Sequence, residues 1–210
     1  MNDTFITLSE LLAKDLPELM IKSIPGQIKT AYKKAHESAK KPVPDLYYES
    51  LNTEQGLWAQ CILKELAEKY CGSGLSPRLQ PNTKKRSHLE IETDRILMTS
   101  HRVRSAGAFT RDALYRESNA TFNHLWLDGI DEPHAPENSK CNIYILHGPD
   151  QEDRAKLGFV QLAVPDPRQK RYLSIKNLYS SEVVIRAEVE ENIPEPLIRL
   201  KSKKSKTQRS

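Results

Sequence analysis

The hydrophobic and polar positions of this chain follow one period in its first third and another beyond it. Through residue 70, apolar side chains recur every three or four positions, as along one side of an amphipathic helix. From residue 89 onward, apolar and polar residues alternate, which is typical of half-buried strands. Helices followed by strands predict an α+β fold, with N-terminal helices packed on a mixed or antiparallel sheet built mainly from the C-terminal half.

Start and stop signals mark the early helices. Thr7 and Glu10 form a capping box ahead of a leucine-rich run, and Pro17 is expected to kink or split that run. A Pro-Gly pair then precedes a lysine-rich helix over residues 27–41. A third helix is predicted over 52–70, with its first residue, an asparagine, as the cap. Its predicted buried face consists of Leu57, Trp58, Cys61, Ile62 and Leu66.

The second half is predicted to be rich in strands, with one helix. A long loop over 72–87 leads to a strand over 89–98, and Ser105 caps a helix over 106–118. The side chains expected to face inward from that helix are Ala108, Phe109, Ala113 and Leu114. Further strands are expected at 142–147, 157–164, 172–178 and 182–189, the first two as antiparallel partners.

Length and composition favour one soluble domain. The 210 residues include 38% hydrophobic and 29% charged side chains, which suits a single core of moderate size over residues 1–198. The net charge is +4, yet residues 199–210 carry six lysines and arginines and no acid, so the rest of the chain is slightly acidic. This basic tail is expected to be disordered. Whether it attaches to phosphate or only keeps the chain in solution stays open.

Targeting and redox signals indicate the cytoplasm and no membrane association. Three cysteines without a CxxC spacing argue against a disulfide framework or a zinc knuckle. The N-terminus lacks the features of a signal peptide, and no apolar run approaches the roughly 20 residues that span a bilayer. The sequence also lacks the Walker A, GxGxxG and GxSxG motifs, so NTPases, dinucleotide enzymes and α/β-hydrolases are poor candidates.

Residues 88–104 carry the most informative chemistry. Apolar residues alternate with acids there, so Glu90, Glu92 and Asp94 are expected on one face of a strand, the first two about 7 Å apart. Clustered carboxylates can hold Mg²⁺ and activate a water against phosphate, and Asp45 is a candidate for a further ligand. The alternative is that these acids form the solvated face of a half-exposed strand.

Part of this region resembles the core of some type II restriction endonucleases of the PD-(D/E)xK superfamily, in the subset with a Glu-x-Glu catalytic strand. The residues that carry the resemblance are Glu90, Ile91, Glu92, Thr93, His101, Arg102, Arg104 and Ser105. In that subset the strand leads into a helix with basic and serine residues near the DNA. The resemblance covers about residues 88–118 and implies a magnesium-dependent endonuclease. Glu90, Glu92 and Asp45 would be catalytic, and the two glutamates would bind the metal.

Basic residues around this strand form a candidate nucleic-acid-binding surface. The residues with this predicted role are Lys84, Lys85, Arg86, Arg102, Arg104 and Arg111. Positions 104, 111 and 115 would share one helical face, on which Tyr115 adds a stacking contact. The amides that open the predicted helix would also favour an anion. The alternative is that these arginines pair with surface acids.

These patterns favour a DNA-binding protein, with double-stranded DNA as the expected partner and a homodimer among the expected states. If Glu90 and Glu92 hold Mg²⁺, the protein is an endonuclease that hydrolyses phosphodiester bonds in a restriction system. The alternative is a non-catalytic nucleic-acid-binding regulator, or a protein–protein adaptor, without a cofactor. A nuclease requires both glutamates beside a third acid in a concave site, whereas a binding protein leaves them exposed. An adaptor disperses its basic residues over several faces.

Overall fold

The computed structural model describes residues 5–40, 47–81, 87–111, 113–127 and 133–181. The helices are α1 (Leu8–Asp15), α2 (Glu18–Ala39), α3 (Tyr47–Glu68) and α4 (Leu114–Ala120). The strands are β1 (Phe5–Thr7), β2 (Ser76–Pro81), β3 (Ser87–Glu92), β4 (Ile96–Arg102), β5 (His134–Pro136), β6 (Cys141–Pro149), β7 (Leu157–Pro165) and β8 (Tyr172–Ser180). None of the described helices is both long enough and apolar enough to cross a membrane.

The first helix begins and ends where the sequence predicts. The Thr7 hydroxyl accepts a hydrogen bond from the Glu10 amide, and the Glu10 carboxylate accepts one from the Thr7 amide at 2.9 Å. This is the predicted capping box. Helix α1 ends at Asp15 and α2 begins just after Pro17, so the predicted break in the leucine-rich run is confirmed.

Helix α2 continues through Pro25, which corrects the predicted boundary at the Pro-Gly pair. A proline inside a helix removes one hydrogen bond and costs about 3 kcal/mol. Met20, Ile24 and Ile28 nevertheless form one fully buried stripe on both sides of it. Burial of three large side chains outweighs that cost, since each contributes roughly 1.5–3 kcal/mol.

Helix α3 begins at Tyr47, so Asn52 lies inside the helix and does not cap it. Its buried face is also rotated from the predicted one and consists of Leu51, Gln55, Ala59, Ile62, Leu63, Leu66 and Ala67. The predictions for Leu57, which is 52% exposed, and for Cys61, which is exposed, were therefore wrong. The small side chains of Ala31 and Ala59 form a common cluster, which lets α2 and α3 pack closely.

The sheet has six strands in the order β2-β3-β4-β6-β7-β8, and β1 pairs with β5 separately. Strands β4 and β6 are parallel, and the other neighbours in the six-stranded sheet are antiparallel. Helices early in the chain and a mixed sheet later confirm the predicted α+β fold. The strands predicted at 142–147, 157–164 and 172–178 are confirmed as β6, β7 and β8, and the one at 182–189 lies outside the described residues.

The strand predicted over 89–98 is two strands, β3 and β4, joined by a tight turn. The turn is closed by Thr93, whose side-chain oxygen accepts a hydrogen bond from the Ile96 amide at 2.9 Å. Asp94 is exposed in this turn, so it does not lie on the strand face with Glu90 and Glu92, as was predicted. Strand β2 also replaces part of the loop predicted over 72–87. Its prolines are compatible with a strand at the edge of a sheet.

The helix predicted over 106–118 is wrong in its first half. Gly107 has a φ of 70°, which an α-helix does not allow, and the Ala108 amide instead donates to the Ser105 carbonyl in a turn. The helical part is α4 alone. Phe109 is 47% and Leu114 is 74% exposed, so these two side chains do not face inward.

The two faces of the sheet are covered differently. Helices α1, α2 and α3 bury one face in the main core, whose members include Leu89, Ile91, Met98, Ile143, Ile145, Val160 and Leu162. Residues 103–127, here called the crossover segment, contact the other face on their way from β4 to β6. The Gly107 amide donates to Gln161, and Asn123 donates to the Asn142 and Pro165 carbonyls. Alternate residues of each strand therefore meet either the helices or the crossover segment.

Candidate nucleic-acid interface

Glu90 and Glu92 both project from the face of β3 that the crossover segment covers. Their neighbours Leu89 and Ile91 point into the main core, as the alternation predicts. The Glu92 side chain is 36% exposed and lies 3.7 Å from Arg78 and 3.9 Å from Lys140. Glu90 is 16% exposed, and its Oε1 accepts hydrogen bonds from His88 at 2.9 Å and Asn119 at 3.2 Å.

The two glutamates differ in how free they are to bind a metal ion. Glu92 has only long, partly exposed ion pairs, whereas one oxygen of Glu90 is already occupied by two donors. Within the described ranges, no three His, Cys, Asp or Glu side chains assemble into a group that could hold a metal. Asp45 lies outside those ranges. Magnesium binding by Glu90 and Glu92 therefore stays a prediction.

Arg102 is the last residue of β4 and turns toward the helices. Its Nε donates to Gln55 Oε1 at 2.7 Å, and its Nη2 donates to Asn52 Oδ1. Burial lowers the pKa of Arg102, and the charges of Arg154 and Arg104 lower it further. Gln55 also contacts Arg154, and Arg104 is two residues along the chain, so the three arginines lie in one region. Arg102 stays a cation at neutral pH because an arginine pKa begins so high.

Arg104 and Arg154 are both exposed. Arg104 follows β4 by two residues, and Arg154 lies in the loop between β6 and β7. The Arg154 guanidinium lies 5.7 Å from the centre of the Tyr48 ring. The main-chain carbonyl of Arg154 accepts a hydrogen bond from the Gln55 side chain at 2.7 Å. Gln55 thus contacts two of the three arginines. Arg102, Arg104 and Arg154 are here called the arginine cluster. None of these three arginines forms an ion pair with an acid among the described residues.

The arginine cluster lies at the carboxyl ends of β4 and β6, the parallel pair of the sheet. In sheets with parallel strands, ligands commonly bind at this end, because the loops that follow such strands meet there. The other predicted basic residues are not part of the cluster. Arg111 is exposed farther along the crossover segment, and the predicted helical face of 104, 111 and 115 is absent because residues 104–111 are not helical. Residues 84–86 and 199–210 lie outside the described ranges.

A second group of polar side chains, here called the crossover cluster, lies between the sheet and α4. Its members are His88, Glu90, Thr99, His101, Asn142 and Tyr144 on the strands and Tyr115, Arg116 and Asn119 on α4. The Tyr115 ring stacks on His88 with centroids 3.8 Å apart, and the His101 ring meets Tyr144 edge-on at 4.5 Å. Thr99 Oγ1 and His101 Nε2 are 2.8 Å apart, within hydrogen-bond distance.

The sequence predictions missed Arg154 and most of the crossover cluster. Strand alternation could have placed Thr99, His101 and Tyr144 on one face, since each lies two residues from a neighbour on its own strand. That placement requires β3 and β4 to be recognised as two strands, whereas the sequence analysis predicted a single strand. Arg154 carries no such signal, because a polar loop gives no period from which its position could be read.

Two buried histidines, His101 and His147, lie on opposite faces of the sheet. Burial lowers the pKa of His147 to about 3, with a smaller contribution from the charge of Arg102. Burial also holds the pKa of His101 well below its usual range, and the charge of Arg116 adds to this. His147 Nδ1 lies 3.1 Å from the Tyr32 hydroxyl, so a neutral imidazole has a partner there.

Acid should therefore destabilise the fold from about pH 6.5 downward. Each histidine is neutral when folded but gains a proton when unfolded below its ordinary pKa, so the free energy of unfolding falls as the pH falls. For His147 the loss should be about 2 kcal/mol between pH 7.5 and 5, and His101 adds a loss in the same direction. Urea denaturation at pH 7.5 and 5 measures it. His147→Gln should reduce the pH dependence, whereas His124→Gln, at an exposed histidine, should not. Equal stability at both pH values would contradict the assignment.

Comparison with family models, with curated proteins and with solved structures finds no match to this chain. The function is therefore inferred from the geometry of the two clusters.

Proposed function

We propose that this protein binds nucleic acid, with double-stranded DNA as the expected partner, through Arg102, Arg104 and Arg154. The observation that carries the proposal is that Gln55 contacts both Arg102 and Arg154, with Arg104 two residues along the chain from Arg102. None of these arginines forms an ion pair with a described acid. Like charges held together destabilise a fold unless something neutralises them. A phosphate backbone supplies such charge, and arginine binds phosphate through two parallel hydrogen bonds.

The three arginines differ in how they can contact a nucleic acid. Arg102 is fixed by Asn52 and Gln55, both on α3, so its guanidinium has a defined orientation at the carboxyl end of β4. Arg104 and Arg154 are exposed to solvent. Contacts of this kind position a duplex but do not read its sequence. The arrangement therefore supports binding with a strong dependence on salt.

Fluorescence anisotropy with a short labelled duplex tests the proposal. The logarithm of the association constant should fall linearly with the logarithm of the salt concentration, by about 0.9 per phosphate contact. Single-stranded DNA and an RNA duplex of the same sequence serve as comparisons. The proposal would be contradicted if none of the three nucleic acids bound in a salt-dependent way.

A magnesium-dependent endonuclease is the second candidate. The observation that favours it is that Glu90 and Glu92 project from the same face of β3, within reach of a shared ion and its waters. The metal would polarise the phosphate and lower the pKa of a bound water. Asp45 is the proposed further ligand.

Glu92→Ala should abolish any cleavage while leaving DNA binding intact or slightly tighter. The substitution removes a metal ligand, but it also removes a negative charge that repels phosphate. The measurement is conversion of supercoiled plasmid to open and linear forms with magnesium and with EDTA. Glu37→Ala, at an exposed glutamate on α2, is the matched control and should cut like the unmodified protein. Cleavage that persists in EDTA or in Glu92→Ala would contradict the assignment.

A further inference from the structure

Arg116, in the crossover cluster, has a buried nitrogen without a hydrogen-bond partner. Its Nε donates to the Tyr115 hydroxyl at 3.1 Å, whereas Nη1 is buried and has no hydrogen-bond partner among the described residues. Over the described part of the chain, no acid forms an ion pair with this guanidinium. A buried cationic nitrogen without a partner costs more than a neutral one, because water can no longer solvate it. A bound group with a hydrogen-bond acceptor would therefore stabilise Arg116 Nη1.

Two further polar groups beside Arg116 are unpaired in the same way. Tyr144 is 1% exposed and Asn142 is fully buried, and among the described residues neither side chain has a polar partner within hydrogen-bond distance. The Asn142 side chain lies near enough to the Tyr144 hydroxyl to lower its pKa slightly against the effect of burial. Both residues are on β6, two positions apart, so they point to the same side of the sheet. The Arg116 charge lowers the pKa of both Tyr144 and His101, so the guanidinium lies within electrostatic range of both side chains.

We propose that Arg116, Tyr144 and Asn142 form a binding site for a phosphate group. A tetrahedral oxyanion presents several acceptor atoms at once, which matches a guanidinium, a hydroxyl and an amide that each have a hydrogen to donate. His88 Nδ1, also buried and unpaired, can accept the proton of a singly protonated phosphate. The site is distinct from the arginine cluster, which lies at the strand ends. It does not depend on nucleic-acid binding there.

The Tyr115 ring controls entry to this site. It stacks on His88 at 3.8 Å, and its hydroxyl accepts the Arg116 hydrogen bond, so it covers the strands from the α4 side. Helix α4 has only seven residues, and the neighbouring Leu114 is 74% exposed. A phosphate group, free or at the end of a nucleotide, thus enters by displacing one side chain of a short helix.

Titration of the full chain with inorganic phosphate, followed through the histidine ring signals in ¹H–¹⁵N NMR spectra, tests the proposal. Phosphate should shift the His88 and His101 signals saturably at constant ionic strength, whereas chloride should not. Adenosine 5′-monophosphate and adenosine are the two further probes. Tighter binding of the monophosphate than of phosphate assigns a nucleotide, equal binding assigns free phosphate, and a shift with adenosine alone overturns the proposal.

Variants separate this site from the arginine cluster. Tyr144→Phe removes one hydroxyl and little else, so it should weaken phosphate binding about tenfold, as should Arg116→Gln. Tyr144→Phe keeps the test decisive if Arg116→Gln does not fold. Arg111→Gln, at an exposed arginine of the same segment, and the pair Arg104→Gln and Arg154→Gln should leave the histidine shifts unchanged. Unaltered affinity in both Tyr144→Phe and Arg116→Gln, or no phosphate shift in the unmodified protein, overturns the proposal.

Discussion

The double variant Arg104→Gln and Arg154→Gln should bind duplex DNA about two orders of magnitude more weakly at low salt. Each charge-assisted hydrogen bond to phosphate contributes roughly 1.5 kcal/mol, which is about tenfold in affinity. The salt dependence should flatten at the same time, by about 0.9 in slope for each phosphate that the protein no longer neutralises. Both side chains are exposed, so the folded state should be unaffected. Arg102 is retained because its hydrogen bonds to α3 also stabilise the fold.

The matched control is the pair Arg168→Gln and Lys170→Gln. These residues are exposed in the turn between β7 and β8, at the opposite end of the sheet from the arginine cluster. The control removes the same net charge, so it reports the part of the effect that comes from overall charge alone. An equal loss of affinity in both pairs would show that DNA binds the protein without using the cluster.

Gly158→Ala should destabilise the fold by about 3 kcal/mol, because its side chain would overlap the main chain of β6. A Cβ atom at this position would lie 2.5 Å from the Pro149 carbonyl oxygen and 2.8 Å from its carbonyl carbon. Main-chain atoms cannot rotate away as the end of a long side chain can. The pairing of β6 with β7 is irregular at this point, so the close approach belongs to the bulge itself. Urea denaturation gives the free energy of unfolding.

Gly56→Ala provides a control of opposite sign. Gly56 lies inside α3, and a Cβ atom there would meet nothing within 4 Å. Alanine is favoured over glycine inside a helix by about 0.5–1 kcal/mol, so this variant should be more stable than the unmodified protein. Similar changes in both variants would show that backbone entropy, and not overlap with Pro149, determines the effect at Gly158.

The sequence predicts those elements of the fold that depend on one dominant local signal. The capping box at Thr7 and the alternation in 142–147 and 157–164 correspond directly to α1, β6 and β7. Signals that compete with tertiary burial were misread. Pro25 does not end α2, because the buried stripe on both sides of it is continuous. The strand over 89–98 was not divided, because β4 is buried along nearly its whole length and lacks alternation.

The candidate sites were only partly predictable for a related reason. Glu90, Glu92, Arg102 and Arg104 lie close together in the chain, so one stretch of sequence suggested them. Arg154 joins Arg102 only because β6 pairs with β4, and no local pattern contains that information. The crossover cluster likewise depends on the crossover segment returning over the sheet. Its tyrosine and arginine were expected on a longer helix that the positive φ of Gly107 prevents.

The parallel pairing of β4 with β6 also constrains how the chain can assemble. The β3–β4 and β6–β7 pairs each close a short loop, so they can form quickly and independently. Joining β4 to β6 closes a far longer loop and requires the crossover segment to be ordered, which carries a larger entropic cost. A chain in which β4 and β6 have not yet paired leaves an apolar edge on each of these strands, and such an edge can pair with another chain. The yield of refolding should accordingly fall as protein concentration rises, since the late step within one chain competes with association between chains.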